Sequence, residues 1–392
     1  MVTAAPEVAS ASGPSFALPE DAELLRSEVR RFAQERIRPG VGERDRTHEF
    51  PTDLVAEMAE LGLLGMMIEE AYDGPGFDPL TYSVAVAEIS RACPSLGVTM
   101  SVTNSVCAWP IARYGTEEQK KRFLPSLAVG GMLGGFGLTE PSSGSDAGSM
   151  KTSAVRDGDD WVLNGEKAWI TNAEFAGVFV VLAKTDPAAG KRGISAFIVP
   201  ADSPGLSVGA PEEKMGLRAS NTAALHFSDC RISGDLLLGE ENGGFRVAMG
   251  TLDHSRLGIA AQGIGIHRRA LELAVDYAKE RVQFGVPIAE HQAIRFSIAE
   301  IATELAAAET LTYSAAAMHD DRDAGRLASE AKLYATEAAN RACYKSLQIH
   351  GGNGFSEESE IARLYRDVRV TTIYEGTSEM QRLVIARNVL SR

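Results

Sequence analysis

A single carboxylate stands beside glycine near the end of the chain, in Val370-Thr371-Thr372-Ile373-Tyr374-Glu375-Gly376-Thr377-Ser378-Glu379-Met380. The approach to it is apolar and β-branched, and a helical pattern begins at Ser378 with Met380, Leu383 and Val384. Gly376 permits backbone angles that other residues avoid and leaves room for a ligand to approach. A carboxylate in such a place can lose its hydration, which raises its pKa toward the range of a base working at neutral pH. The same arrangement also serves as an ordinary helix cap.

Four further segments carry residue types suited to holding a flat or phosphorylated ligand. Phe136-Gly137-Leu138-Thr139-Glu140-Pro141-Ser142-Ser143-Gly144-Ser145-Asp146-Ala147 alternates glycine with hydroxyls. Such a loop can turn N–H groups and hydroxyls toward a polar heterocycle or a pyrophosphate, or be a solvated turn. Trp169-Ile170-Thr171-Asn172 offers an indole to stack on a ring and a hydroxyl for its edge, or simply a core tryptophan. Arg281-Val282-Gln283-Phe284-Gly285, followed by His291-Gln292, closes a helical pattern with a guanidinium that can grip a phosphate or offset the helix dipole. Gln348-Ile349-His350-Gly351-Gly352-Asn353-Gly354-Phe355 has more glycines than a helix stop needs. His291 has no ligand partner one helical turn on, and Cys93, Cys107, Cys230 and Cys343 form no CxxC pair, so no metal site is expected.

These segments need elements to position them. In the first third, Asp21 is expected to cap a helix carrying Leu25, Val29 and Phe32. Residues 53–64 and 117–124 read as helices, and residues 80–114 as buried helix. From about Gly130 the chain turns rich in glycine and β-branched residues. Trp161-Val162-Leu163, Asn164-Gly165 and Lys167-Ala168-Trp169-Ile170-Thr171 read as a hairpin turning at Asn164-Gly165. Residues 178–183, 194–199 and 223–227 are further strands, and the frequent turns predict an antiparallel barrel or sandwich. The last third returns to helix over residues 256–281 and 328–349, and Ile294, Ile298, Ile301 and Leu305 paint one face of another. Long amphipathic helices with short connections predict an antiparallel bundle.

The 392 residues suffice for two or three domains. Asp and Glu outnumber Lys and Arg by 53 to 39, a formal charge of −14, which disfavours general nucleic-acid binding. No apolar run reaches membrane-spanning length, so no membrane insertion is expected. The Ala-, Ser- and Pro-rich start lacks the marks of a secretory or mitochondrial presequence and reads as a disordered tail over residues 1–17. Scattered cysteines suit a reducing, cytoplasmic setting.

Taken in order, these motifs resemble the acyl-CoA dehydrogenase family from about Leu18 to Arg392, including Lys214-Met215-Gly216-Leu217-Arg218-Ala219-Ser220-Asn221-Thr222. Glu88-Ile89-Ser90-Arg91, Met100-Ser101-Val102 and Glu375-Gly376-Thr377-Ser378-Glu379 look most like its short-chain, butyryl-CoA-type members. The resemblance implies an α+β multidomain chain: an N-terminal helical domain (18–130), a middle antiparallel β-barrel domain (131–240) and a C-terminal four-helix bundle (241–392), assembled as a homotetramer. It implies FAD bound non-covalently between the β domain and the bundle. Phe136, Leu138, Thr139, Trp169 and Thr171 are the implied FAD contacts, and Ser145, Ile170, Gln283, Gly351, Thr377 and Glu379 are further implied cofactor-binding residues. Arg281, Phe284, Gln292, Gln348 and Gly352 are implied to hold the FAD of a neighbouring subunit. Ser145, Asp253, Arg256, Tyr374 and Gly376 are implied to contact acyl-CoA.

Glu375 matches the family's catalytic base. Some members place that glutamate two residues after the aspartate of Asp-x-x-Arg, which here is Ser255, so Glu375 stands alone. The implied reaction removes the α-proton of a short-chain or branched acyl-CoA and passes a hydride from the β-carbon to flavin N5, giving trans-2-enoyl-CoA. The Glu375 N–H and an FAD ribityl hydroxyl are implied donors to the thioester carbonyl, and an electron-transfer flavoprotein the implied acceptor. Tyr72-Asp73-Gly74-Pro75-Gly76-Phe77 departs from the Tyr-Gly-Gly run of relatives, near the rim of the implied acyl pocket. An oxidase or flavin monooxygenase on the same fold, and a non-catalytic FAD- or acyl-CoA-binding protein, are the alternatives.

Overall fold

Helices come first in the computed structural model, which describes residues 17–391. They are α1 (Glu20–Phe32), α2 (Val41–Thr47), α3 (Thr52–Glu60), α4 (Pro79–Ala92), α5 (Pro94–Val102), α6 (Trp109–Tyr114) and α7 (Glu117–Ala128). The expected tail lies outside the described residues apart from Ala17. Asp21 does not cap α1. The helix starts one residue earlier, after Pro19, and Asp21 sits in the first turn, where its charge suits the helix dipole. α3 stops at Glu60, short of the expected end, because Gly62 turns left-handed at φ 72°. Residues 80–114 are buried helix as expected, yet not one helix. Pro94 lacks an N–H and disfavours helical angles at Cys93, so α4 ends there and α5 begins.

The middle of the chain holds β1 (Leu133–Gly137), β2 (Ser153–Asp157), β3 (Asp160–Thr171), β4 (Ala176–Lys184), β5 (Ile194–Pro200), β6 (Leu206–Pro211), β7 (Thr222–Ile232) and β8 (Leu237–Leu238). They form one sheet in the order β6-β7-β3-β2-β4-β5-β8, with β1 also paired to β4. β1 and β2 meet β4 in parallel, and the other pairs are antiparallel. The sheet is open, with β6 and β8 at its ends, so the barrel expectation is corrected. Frequent turns are common to open and closed sheets. Closure depends on strand tilt and stagger, which turn spacing does not encode.

The expected hairpin is also corrected. Asn164-Gly165 lies inside β3, and the turn is Gly158-Asp159, between paired Asp157 and Asp160. At Asn164-Gly165 the ladder to β7 slips by a bulge. The Asn164 side chain fills the break, accepting from the Asp229 N–H at 2.8 Å and donating to the Asp229 carboxylate at 3.0 Å. Gly165 adopts φ 142°, and a Cβ there would stand 2.7 Å from Thr152 Cα. Gly165→Ala is therefore expected to lower stability by about 1–3 kcal/mol, read as a lower urea midpoint. An unchanged midpoint would show that the bulge relaxes without cost.

The C-terminal helices are α8 (Gly244–Glu280), α9 (Gln292–Ala317), α10 (Ala324–His350), α11 (Glu360–Val368) and α12 (Ser378–Leu390), with the small hairpin β9 (Val282–Gln283) and β10 (Val286–Pro287) after α8. α8 packs on α9, α10 and α4, and α12 packs on α10. One apolar cluster joins Tyr82, Val86 and Ile89 of α4 to Leu257, Ala261 and Ile264 of α8 and Ala335 of α10, so the first and last thirds share a core. Among the described residues no helix is long and apolar enough to cross a membrane.

Candidate active site

After α11 a short 3₁₀ turn, Arg369–Thr372, leads to Glu375 and Gly376, which adopt consecutive left-handed conformations at φ 52° and 94°. For a glutamate this costs about 1–2 kcal/mol, so neighbours must hold it. Gln381, fully buried on α12, donates to the Gly376 carbonyl at 2.9 Å and to the Glu375 carbonyl at 3.3 Å. Lys332, fully buried on α10, donates to the same Gly376 carbonyl at 2.7 Å. A Cβ at position 376 would come within 2.7 Å of the Gln381 amide nitrogen, so space and φ both require glycine there. Glu375 does not cap α12. The Thr377 hydroxyl accepts from the Met380 N–H at 3.3 Å and does so instead.

The Glu375 side chain is thus left for other work. Its Oε2 is shielded from solvent with no hydrogen-bond partner among the described residues. Burial pushes the carboxyl up to about 7, against the opposing pull of the Ser255 hydroxyl, Lys332 and Arg256. The phenols of Tyr82 and Tyr374 are pushed up by burial, and further by the Glu375 charge. Ser255 and Arg256 sit on α8. Arg256 is buried, pairs with Asp253 and donates to Ser329 Oγ at 3.0 Å. Tyr374 donates to Gln262, which in turn donates to the Pro94 carbonyl at 2.9 Å. Val98, Val102, Val106 and Leu217 form an apolar wall against which Phe136, Val370 and Tyr374 pack.

Phe136 brings the sheet into this neighbourhood. Leu138 and Thr139 follow it, and the Ala168 N–H donates to the Thr139 carbonyl at 2.9 Å, tying that loop to the strand of Trp169. Trp169 takes φ 62° and is 59% exposed. Thr171 is half-buried, Ser145 is exposed, and Ile170 is buried and paired with Ala223 of β7. Glu140 anchors the loop from below. Its carboxylate accepts from the Lys167 ammonium at 2.8 Å and from the N–H groups of Lys151 and Thr152 at 2.6 and 2.9 Å. Burial lowers the Lys167 ammonium to about 8. An outward indole and flanking hydroxyls beside a braced loop fit one face of a flat, polar ring such as the isoalloxazine of FAD.

Arg281, Gln283, Phe284, Gln292, Gln348, Gly351 and Gly352 lie elsewhere. Arg281 follows the last residue of α8, roughly 37 Å along the helix axis from Arg256 at the ordinary helical rise. The ends of α8 and α10 meet there through the stacked rings of Tyr277 and His350. Phe284 is 93% exposed, and a Cβ at Gly351 or Gly352 would touch nothing within 4 Å. Thr377 and Glu379 open α12, with Glu379 exposed. The expected residues therefore fall into two groups: one around Glu375 and Trp169, the other at the far end of α8.

Lys332, Gln381, Gln262 and the Glu140–Lys167 pair were not foreseen. A signal existed for Lys332. It stands on the alanine stripe Ala328, Ala331, Ala335 and Ala338 of α10, where a lysine interrupts an otherwise apolar face.

Comparison with known proteins agrees with this arrangement. Family models described as the N-terminal, middle and C-terminal domains of acyl-CoA dehydrogenase match residues 19–131, 135–230 and 242–390. The chain is 48% identical over 377 residues to the mitochondrial short-chain specific acyl-CoA dehydrogenase of Bos taurus, covering 96% of this chain and 92% of that protein. Butyryl-CoA dehydrogenase from Megasphaera elsdenii superposes with a TM-score of 0.94 at 40% identity, covering 96% of this chain and 99% of the other. A chain in a structure of the electron transferring flavoprotein of Acidaminococcus fermentans superposes with a TM-score of 0.95 at 42% identity, covering 96% and 100%. With likeness of this extent along nearly its whole length, the chain belongs to the acyl-CoA dehydrogenase family.

Proposed function

We propose that this protein is an FAD-dependent acyl-CoA dehydrogenase that converts a short-chain or branched acyl-CoA to its trans-2-enoyl-CoA, with Glu375 as the base. The observation that carries this reading is the buried, unpartnered Oε2 of Glu375 on a turn held by Lys332 and Gln381. An α-proton of a thioester is a very weak acid, so its removal needs a positioned base and a donor for the enolate-like oxygen. Glu375 serves as both: its carboxylate takes the proton, and its backbone N–H donates to the thioester carbonyl. The Glu375 Oε2 is shielded from solvent, which keeps water from the base. FAD, when bound, supplies the acceptor for the hydride that leaves the β-carbon. Phe136, Leu138, Thr139, Trp169 and Thr171 would hold its ring, with Ser145, Ile170, Thr377 and Glu379 nearby. Asp253, Arg256, Tyr374 and Gly376 would line the acyl-CoA side; Asp253 and Ser329 share one terminal nitrogen of Arg256, and its Nε is buried with no partner among the described residues.

The far group at Arg281, Phe284 and Gln348 is read as holding the FAD of a neighbouring subunit in a homotetramer. Its distance along α8 and the exposure of Phe284 and Phe355 support that reading. The C-terminal helices are read as a four-helix bundle and the domains as residues 18–130, 131–240 and 241–392. An electron-transfer flavoprotein is the proposed acceptor. The four buried, unpaired cysteines support a cytoplasmic home.

Anaerobic titration of the yellow protein with butyryl-CoA and branched short acyl-CoA thioesters tests the function. Loss of flavin absorbance with release of the enoyl thioester is expected. A flavin that none of them reduces would overturn the reading, and rapid oxygen uptake with acyl-CoA alone would make the protein an oxidase. The raised carboxyl makes a second prediction. Glu375 must be ionised to act, so kcat/KM is expected to rise tenfold per pH unit up to about pH 7 and then level. A profile flat from about pH 5.5 to 8 would contradict it.

A further inference from the structure

We propose that Lys332 is a positioning residue for the α-proton abstraction, setting both the geometry and the ionisation of Glu375 without touching substrate. This rests on Glu375 being the base. Two donors converge on the Gly376 carbonyl, and they differ in kind. Gln381 is neutral and lies only five residues on in the chain, while Lys332 is charged and reaches across from α10. Together they hold the plane of the peptide that follows Gly376 and so constrain the left-handed pair at 375 and 376. That pair aims the Glu375 N–H and side chain, so loosening it degrades oxyanion donor and base at once.

The second effect is electrostatic. Lys332 is fully buried, and its lysine stem lies on an alanine face, so its charge is little screened. Burial draws the ammonium down to about 8, and the Glu375 carboxylate opposes that loss. Reciprocally, Lys332 favours the ionised carboxylate. The charged and titratable groups around the pair are few: Arg256 on α8, Glu337 on α10, Glu379 on α12, Tyr374 beside Glu375 and Tyr82 on α4. Arg256 also favours the ionised carboxylate but is paired with Asp253, and of the two cations it is Lys332 that bonds the turn itself.

Two variants separate the effects. Lys332→Gln keeps a donor and removes the charge, while Lys332→Met removes both. Each retains the Gln381 bond to the Gly376 carbonyl. In both, the acid limb of kcat/KM is expected to move up by about one pH unit, costing about tenfold in rate below it. Above the limb, Lys332→Gln is expected to recover to within a few-fold of the parent, while Lys332→Met stays about tenfold lower. An infrared titration of the Glu375 carboxyl in the FAD-loaded, substrate-free protein is expected to move with the acid limb. An unmoved limb and carboxyl band, or an equal loss at every pH in both variants, would overturn the proposal. Glu375→Gln measured alongside separates the two readings. If that variant still reduces its flavin, the base assignment itself fails. If it is inert while the Lys332 variants keep the parent pH profile, only the role of Lys332 falls.

Discussion

Glu375→Gln is expected to lower the rate of flavin reduction by acyl-CoA by at least about 10²–10⁴-fold while FAD remains bound. The amide matches the carboxylate in size. The turn that carries it is held through backbone carbonyls by Lys332 and Gln381, not through the carboxylate, so the site keeps its shape. What disappears is the one group at the turn able to take a proton, and Ser255 stands where an alternative base would be. The loss should fall on kcat, with acyl-CoA affinity changed only a few-fold, as for an interaction made in the transition state alone. Stopped-flow flavin absorbance with butyryl-CoA measures the first, and binding of a non-reducible thioether analogue the second. Reduction at the parent rate would remove Glu375 from the chemistry.

The largest stability effect is expected at Glu88. This buried carboxylate on α4 accepts from Arg30 of α1 at 2.9 and 3.0 Å, from Arg268 of α8 at 2.7 Å and from Arg91 at 3.4 Å. It ties the N-terminal helices to the long helix that carries Ser255 and Arg256. Glu88→Ala leaves Arg268 without one of its two carboxylate partners, Glu309 being the other, and is expected to cost about 3–5 kcal/mol. Burial alone would raise the Glu88 pKa, but the charges of Arg268, Arg30 and Arg91 outweigh it and hold the carboxyl at about 2. Its folded pKa lies below the unfolded value of about 4.3, so its contribution is complete above that pH and fades as pH falls toward 2. Urea unfolding should therefore separate parent and Glu88→Ala widely at pH 7 and progressively less below about pH 4. Equal midpoints at neutral pH would show that the arginines find other partners at no cost.

Much of the architecture was readable from residue order because helical periodicity and turn chemistry are local. The alternation of α, β and α segments, the strands at residues 178–183, 194–199 and 223–227, and the buried stretch from residue 80 to 114 follow from patterns within a dozen residues. Two failures in the sheet were of one kind. Asn164-Gly165 has the composition of a hairpin turn, but a bulge asks for the same residues, and only pairing with β7 decides between them. Closure of the sheet depends on which strands end up as neighbours, and β6 and β8, at its ends, stay unpaired with each other.

The site divides in the same way. Residue types alone determined that Glu375 beside Gly376 could act as a base, because a carboxylate can take a proton and glycine admits a left-handed turn. Sequence also carried the family likeness through motifs spread along the chain. Tertiary structure decided that the carboxylate is desolvated rather than spent on capping, and that a lysine 44 residues distant in the chain grips its turn. It further decided that the residues expected around a cofactor fall into two separate groups, one on the sheet and its loops and the other at the C-terminal end of α8. Burial and charge coupling are sums over neighbours from distant segments, and no local pattern specifies those neighbours.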